Sequence, residues 1–412
     1  MNDSPSPPVR FRALGLYLLV LILAFLAGSY VVPFFFCVFL LLLLLPVVSL
    51  CCLLLGFLSL KYHQEFSTEH PVKGEWVAHR LALSNETFLP LHHVRVRFKA
   101  VHPGMAEQQP DFQAYLRARG RLEREYRIHC PFRGIYTVGL QTLEAQDPLH
   151  LFTLRRPVWY RTFYVYPRVL PLKGFTTGLE RSERLSQGSS TGAVPDYALF
   201  SRLRSYRRGE SLRHVSWKKF AATGHPYLKE YDTSAEPGVS IYFDLREMDL
   251  PVLKALETED VSVEILVALV KFYLDAGVPV SVHAPGRSLF HFRGSSPTDF
   301  QAFHKATMEL LFQRTISPAA LYRSDRQSGS ADGSSVILVS HLFDAETFAL
   351  VEDALAGEQP VSLVLNQNGC SREQRRQLQP YLDTLKDRGA NIRLVRGPES
   401  ISEELSGGGP WP

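Results

Sequence analysis

The chain has 412 residues and a net charge of +4. That length is too great for one ordinary domain, and so small a charge excludes a protein that binds nucleic acid over its whole surface. Five cysteines occur, three of them (Cys37, Cys51, Cys52) in apolar sequence and two (Cys130, Cys370) far apart. This excludes a disulfide framework or a CxxC metal pair and suits a reducing compartment.

From 13 to 60 there is no Asp, Glu, Lys, Arg or His. As one helix the run would be about 72 Å long, against a hydrocarbon core of about 30 Å. It therefore reads as two spans, near 13–32 and 34–58, broken at Gly28 and Pro33. A signal peptide would have a much shorter apolar region. Arg10 and Arg12 before the run and Lys61 after it place both flanks in the cytoplasm. On that orientation the sequon Asn85-Glu86-Thr87 is never glycosylated.

Residues 61–171 alternate in hydropathy, as in "HHVRVRFKAV", and predict a small antiparallel β-sandwich. Positions 108–124 read as a long loop or a short helix. On a regular strand His92 and His93 point to opposite faces and cannot share a metal. Residues 172–237 form a basic joining segment. Between 201 and 219 there are seven Lys or Arg and one acid, with Tyr206 and Trp217 interleaved. Gly209 permits a turn, "SLRHVSWKKFAAT" reads as a short helix, and Gly224 and Pro226 end it. Arg213 and Trp217 share a helix face, the pattern of a buried structural joint. Arg204 suits an ion pair with Glu210 or Glu230. "YLKEYD" reads as a strand able to edge the sheet that follows.

Residues 238–400 alternate strands with helices and predict an α/β doubly wound domain. Residues 401–412 read as a flexible tail. The expected class is thus a multidomain chain: a transmembrane α-helical hairpin (1–60), a β-sandwich and a doubly wound domain. No P-loop, GxGxxG, HExxH or GxSxG motif occurs. The carboxyl edge of the predicted parallel sheet offers Asp244, His341 and Asp344, and a lone strand-end Asp is as often a helix cap as a ligand.

Three features together resemble the bacterial family called domain of unknown function 58 (DUF58). One is a membrane hairpin followed by a β domain. The second is "FRGIYTVGLQTLEAQDPLHLF", in which Arg133, Gly134, Tyr136, Asp147, Pro148, Leu151 and Phe152 match and His150 replaces a family Gly. The third is the stretch with Leu203, Arg204, Tyr206, Gly209, Arg213, Trp217, Lys218 and Ala221, where Glu210 stands for Asp and Ala222 for Arg.

The resemblance implies a von Willebrand factor A-like domain, a MoxR-type AAA+ ATPase as partner, an association with transglutaminase-like membrane proteins, and no enzymatic activity or cofactor. The metal motif of that fold, Asp-x-Ser-x-Ser, is degenerate here as Asp244-Leu245-Arg246-Glu247-Met248, which implies no metal. Partner contacts are expected around Arg246, Glu247 and His341. The leading expectation is a bacterial plasma-membrane adaptor with its soluble domains in the cytoplasm and no small-molecule substrate. A second reading is a binder of nucleic acid or anionic lipid through 201–219; a third is an unrecognised hydrolase.

Overall fold

The computed structural model describes residues 11–30, 34–102, 110–175, 200–205, 227–231, 238–285, 289–312, 317–327, 335–357 and 359–406. The chain divides into two compact units, Met1–Pro167 and Arg168–Pro412.

The first unit opens with α1 (Phe11–Tyr30) and α2 (Phe34–Leu58). Neither has a charged residue at its lipid-length centre to oppose burial in an apolar phase. The Phe25 and Phe39 rings lie 5.3 Å apart across the two helices, and the Tyr17 hydroxyl donates to the Leu42 carbonyl. Among the described residues only α2 is long and apolar enough to cross a membrane; the apolar part of α1, Leu14–Ser29, is shorter. The last turns of α2 serve a second purpose. Leu53 and Phe57 are buried with Leu60, Leu83 and Leu91 of the strands, and Leu91 packs directly over Gly56, where a Cβ would meet it at 2.7 Å.

The strands of this unit are β1 (Leu60–Phe66), β2 (Trp76–Asn85), β3 (Leu91–Val101), β4 (Phe112–Leu116), β5 (Arg121–His129), β6 (Gly134–Gln146), β7 (Thr153–Pro157) and β8 (Arg161–Val165). They form one sheet in the order β1-β2-β5 and another in the order β4-β3-β6-β7, with β8 also paired to β6. Every pairing is antiparallel. Inward residues such as Leu81, Val94, Val96 and Leu143 fill the core, the outcome that period-two patterning dictates. The region read as loop or short helix at 108–124 holds β4 and the start of β5.

In the second unit β9 (Phe200–Ser205) pairs antiparallel with β10 (Tyr227–Tyr231) as a sheet of two. The strand expected in "YLKEYD" exists, but its partner is β9 and not the larger sheet. That sheet has six strands, ordered β13-β12-β11-β14-β15-β16. They are β11 (Val239–Phe243), β12 (Val280–Pro285), β13 (Leu289–Gly294), β14 (Ser335–Ser340), β15 (Val361–Asn366) and β16 (Asn391–Val395). All neighbours are parallel except β12 and β13. The helices are α3 (Val252–Asp275), α4 (Asp299–Ala306), α5 (Pro318–Gln327), α6 (Ala345–Ala356), α7 (Arg372–Asp387) and α8 (Ile401–Ser406). Ile241, Phe243, Val339 and Val364 pack with α3; Tyr242, Leu338, Leu363 and Leu365 pack with α5, α6 and α7.

This corrects the expected class. Only one helix meets the length for a membrane span, so the transmembrane hairpin is not supported. The described strands lie in four sheets rather than in a sandwich plus a doubly wound domain. Antiparallel pairs outnumber parallel ones, and the six-stranded sheet itself ends in an antiparallel strand. The physical reason lies in connection length: the short link after β12 permits only an antiparallel return, whereas parallel pairing needs a long crossover. The tail also begins later than expected, because Ile401 and Leu405 of α8 are buried.

Candidate functional site

The carboxyl ends of β11 and β14 bring together the residues that the sequence singled out there. Asp244 follows β11 directly, and its backbone N–H is held by the Val339 carbonyl at 3.0 Å. Its side chain is fully buried. Arg246 closes over it as a fork: Nε lies 3.0 and 3.2 Å from the two carboxylate oxygens, and Nη2 donates to Oδ2 at 2.8 Å. The Arg246 backbone N–H adds a bond to Oδ1 at 3.0 Å. From the other strand the Ser340 hydroxyl lies 2.7 Å from Oδ2 and 2.6 Å from the Leu342 carbonyl, and one proton serves one of the two.

The same guanidinium reaches Asp344 through Nη1, at 2.5 Å, and Thr347 Oγ1 through Nη2, at 3.3 Å. Asp344 caps α6, its Oδ1 accepting from Thr347 N–H at 2.9 Å. Burial raises the Asp344 pKa, but the Thr347 N–H and the Arg246 charge outweigh it, so the carboxyl is held below its usual range. Burial likewise opposes the Arg246 charge, and Asp244 and Asp344 reverse that; its pKa is raised.

His341 is 5% exposed. Neither ring nitrogen has a hydrogen bond of good geometry, and the ring meets Phe312 edge-on at 5.5 Å. Burial pushes its pKa down, Asp244 opposes this, and Arg246 adds to it. The imidazole is therefore neutral near pH 7.

These donors do not suit a divalent cation. A cation site needs several free oxygens, and here a permanent guanidinium fills the space between the two carboxylates. No Ser–His hydrogen bond is formed at this edge among the described residues. Of the three expected partner-contact residues, Glu247 is exposed, Arg246 is largely enclosed and His341 is buried. Arg204 lies in β9 opposite Leu228. Tyr206, Gly209, Glu210, Arg213, Trp217 and Lys218 lie outside the described residues, as does the helix expected around them.

A second polar group beside this edge was not anticipated. Asn366, fully buried at the end of β15, donates to the Thr258 carbonyl at 2.8 Å and the Ser262 hydroxyl at 2.9 Å on α3. Its Oδ1 accepts from Asn368 N–H at 3.0 Å, and Lys254 reaches the Asn368 side chain at 3.2 Å. The signal available in the sequence was an Asn ending an otherwise apolar strand, "VSLVLN".

In the first unit the matched motif residues do structural work. The Tyr136 ring stacks on His102 at 4.0 Å, and its hydroxyl donates to Phe132 O at 3.0 Å. Asp147 is fully buried. It accepts from Phe152 N–H at 2.7 Å, Leu149 N–H at 3.2 Å and, across to α2, the Ser49 hydroxyl at 2.9 Å. His150 has φ +57, a left-handed conformation that favours glycine, which accounts physically for a Gly at this place in the related pattern. His92 and His93 depart from strict alternation because the β3–β4 register shifts between Leu91 and Val94. His93 and His150 then lie 4.6 Å apart, ring to ring. Burial lowers the His93 pKa, with His150 and His92 adding to the effect and Asp147 opposing it.

No family model matches the chain. No curated protein matches it either. Similarities to solved structures are distant. The D319A mutant of the PilB minor pilin from Streptococcus sanguinis gives a TM-score of 0.31 at 9% identity, over 84% of this chain and 86% of that one. The exo-chitosanase CsxA from Amycolatopsis orientalis gives 0.18 at 10% identity, over 81% of this chain and 32% of that one. A β-glucuronidase from Bacteroides uniformis gives 0.18 at 8% identity, over 82% and 39%. Likenesses this weak carry no argument about activity.

Proposed function

We propose that the chain is a membrane-tethered interaction protein, not an enzyme, whose soluble body faces the cytoplasm and works with a MoxR-type AAA+ ATPase in assembly or maturation of other proteins. The observation that carries the reading is the Arg246 fork. It closes the strand edge at which a ligand or ion would otherwise bind, and leaves Glu247 and the half-exposed Asp344 as surface charges. The tether is α2. Of the flanking charges, Lys61 three residues past α2 favours a cytoplasmic body under the positive-inside rule, while Arg10 and Arg12 before α1 oppose it for a single span, so a C-terminal reporter decides orientation. The ATPase enters through the resemblance of the motif residues in both units.

The test is co-purification of the full chain with MoxR-type ATPases of a bacterial host, with and without ATP. Nucleotide-dependent recovery that Glu247→Lys weakens supports the reading. Recovery indifferent to nucleotide, or none at all, refutes it. A C-terminal reporter active only outside the cytoplasm checks orientation, and activity in intact cells would show the opposite one.

A further inference from the structure

We propose that the end of the β unit next to α2 is a contact surface for anionic lipid headgroups, formed by the loop over 86–90 and the turn over 117–120. The inference rests on α2 spanning the membrane, and it uses none of the residues of the basic joining segment.

Depth comes first. α2 has 25 residues, about 37 Å of helix against a hydrocarbon core of about 30 Å. Ser49, at about 22 Å along α2 from Phe34, already bonds to Asp147 of the β unit. Leu53 and Phe57 then sit in the β core. The β unit is thus clamped to the last third of α2 and is not held away on a linker.

The strand registers define which loops stand at that end. Leu60, two residues past the end of α2, pairs with Asn85. Leu91 pairs with Leu116, and Gln146, next to Asp147, pairs with His93. Both loops in question join these strand ends. Asn85 stitches them together: its side-chain amide donates to the Leu89 carbonyl at 2.7 Å and the Arg117 carbonyl at 3.1 Å. The Arg119 N–H donates to the Thr87 carbonyl at 2.8 Å, and the Asn85 N–H to Gly120 at 2.9 Å. Asn85 is 2% exposed, so this side chain is a strut and is closed to glycosylation on either side of a membrane.

The chemistry of the surface suits one occupant. Phe88 is 75% exposed at the loop tip, although an isolated large aromatic gains nothing from water. Arg117 and Arg119 are exposed and make no ion pair among the described residues. Arg121 is paired with Glu123, and Lys61 with Glu86. The surface therefore carries two uncompensated positive charges beside an aromatic tip. An apolar wedge rimmed by arginines matches the boundary of an anionic leaflet.

The test uses the full chain in nanodiscs of phosphatidylcholine alone or mixed with phosphatidylglycerol, read by amide hydrogen exchange. Alkaline carbonate extraction from cell membranes first checks the span: release of the chain overturns both the span and the surface. With the chain retained, exchange over 86–90 and 117–120 is expected to slow by at least about threefold when phosphatidylglycerol is present. The double variant Arg117→Gln, Arg119→Gln should abolish that difference while α2 and the β core stay protected. Phe88→Ser should reduce protection of the loop in both lipids. Equal rates in the two lipids, or a difference that survives the double variant, overturn the surface while leaving the span intact.

Discussion

Replacing Arg246 with Met should destabilise the second unit by about 3–5 kcal/mol, the usual cost of leaving a buried charge without its partner. The reason is the asymmetry of the pair. Asp244 is fully buried while the Arg246 side chain is 15% exposed and has Asp344 as a second partner. Removing the guanidinium leaves Asp244 with Ser340 and one backbone N–H as its hydrogen bonds. Asp244→Asn removes the other half but leaves a cation that still reaches Asp344 and water, and its cost should be smaller, about 1–3 kcal/mol. The double variant Asp244→Leu, Arg246→Met puts an apolar pair in the same space and should recover most of the loss. Amide exchange of Ile337, Leu338 and Val339 in the full chain reads the opening free energy of this unit, since β14 lies between β11 and β15. A loss below about 1 kcal/mol for Arg246→Met, or a double variant no better than the single, would refute a buried, mutually dependent pair.

Other outcomes follow from neighbouring observations. His341 has a depressed pKa in the fold, so the stability it contributes is present above the unfolded value of about 6.5 and is lost as pH falls, at a limiting slope of about 1.4 kcal/mol per unit. His341→Leu should flatten that acid limb; an unchanged limb in a denaturation series across that range would place the effect elsewhere. Asn366→Ala should cost about 1–3 kcal/mol by stranding the buried Asn368 N–H and removing two bonds to α3, although Ser262 still donates to the Thr258 carbonyl, measured by the same amide exchange. His150→Gly should stabilise the first unit by up to about 1 kcal/mol by relieving its left-handed backbone; calorimetry showing a loss would mean the side chain supports the turn. Millimolar magnesium or calcium should leave the melting temperature of the second unit unchanged, and a rise abolished by Asp244→Ala would show that Arg246 yields to an ion.

Local signals were readable where each element satisfied itself. Gly277 after α3, at φ +71, and the Ser371–Gln374 capping box of α7 are written in adjacent residues. For the 318–327 helix, Ser317 before Pro318 is an N-terminal signature, but ten residues between two loops present too little periodicity to stand out. Arg246 in place of an oxygen donor was legible as a local substitution, but its second partner lies 98 residues away at Asp344, a pairing that only the sheet creates. His92 and His93 escaped because a register shift cancels strict alternation. The apolar run over 13–60 misled for a different reason: hydropathy does not distinguish lipid from protein as the apolar phase. Leu53 and Phe57 are apolar because β strands cover them, and α1 is apolar over too short a stretch to count as a second span.

That dual use of α2 decides where the chain can be cut. A fragment starting at Lys61 would begin one residue after Leu60, which is 1% exposed, and would remove Leu53, Gly56 and Phe57 from over Leu83 and Leu91. It would also strip the Ser49 hydroxyl from Asp147. The bared apolar strip would favour aggregation over solution. A fragment starting near Val48 keeps the strip covered and the Asp147 bond intact, at the cost of carrying the outward leucines Leu54, Leu55 and Leu58. Substituting those three with polar helix formers, while leaving the inward residues alone, turns a membrane segment into the first helix of a water-soluble domain.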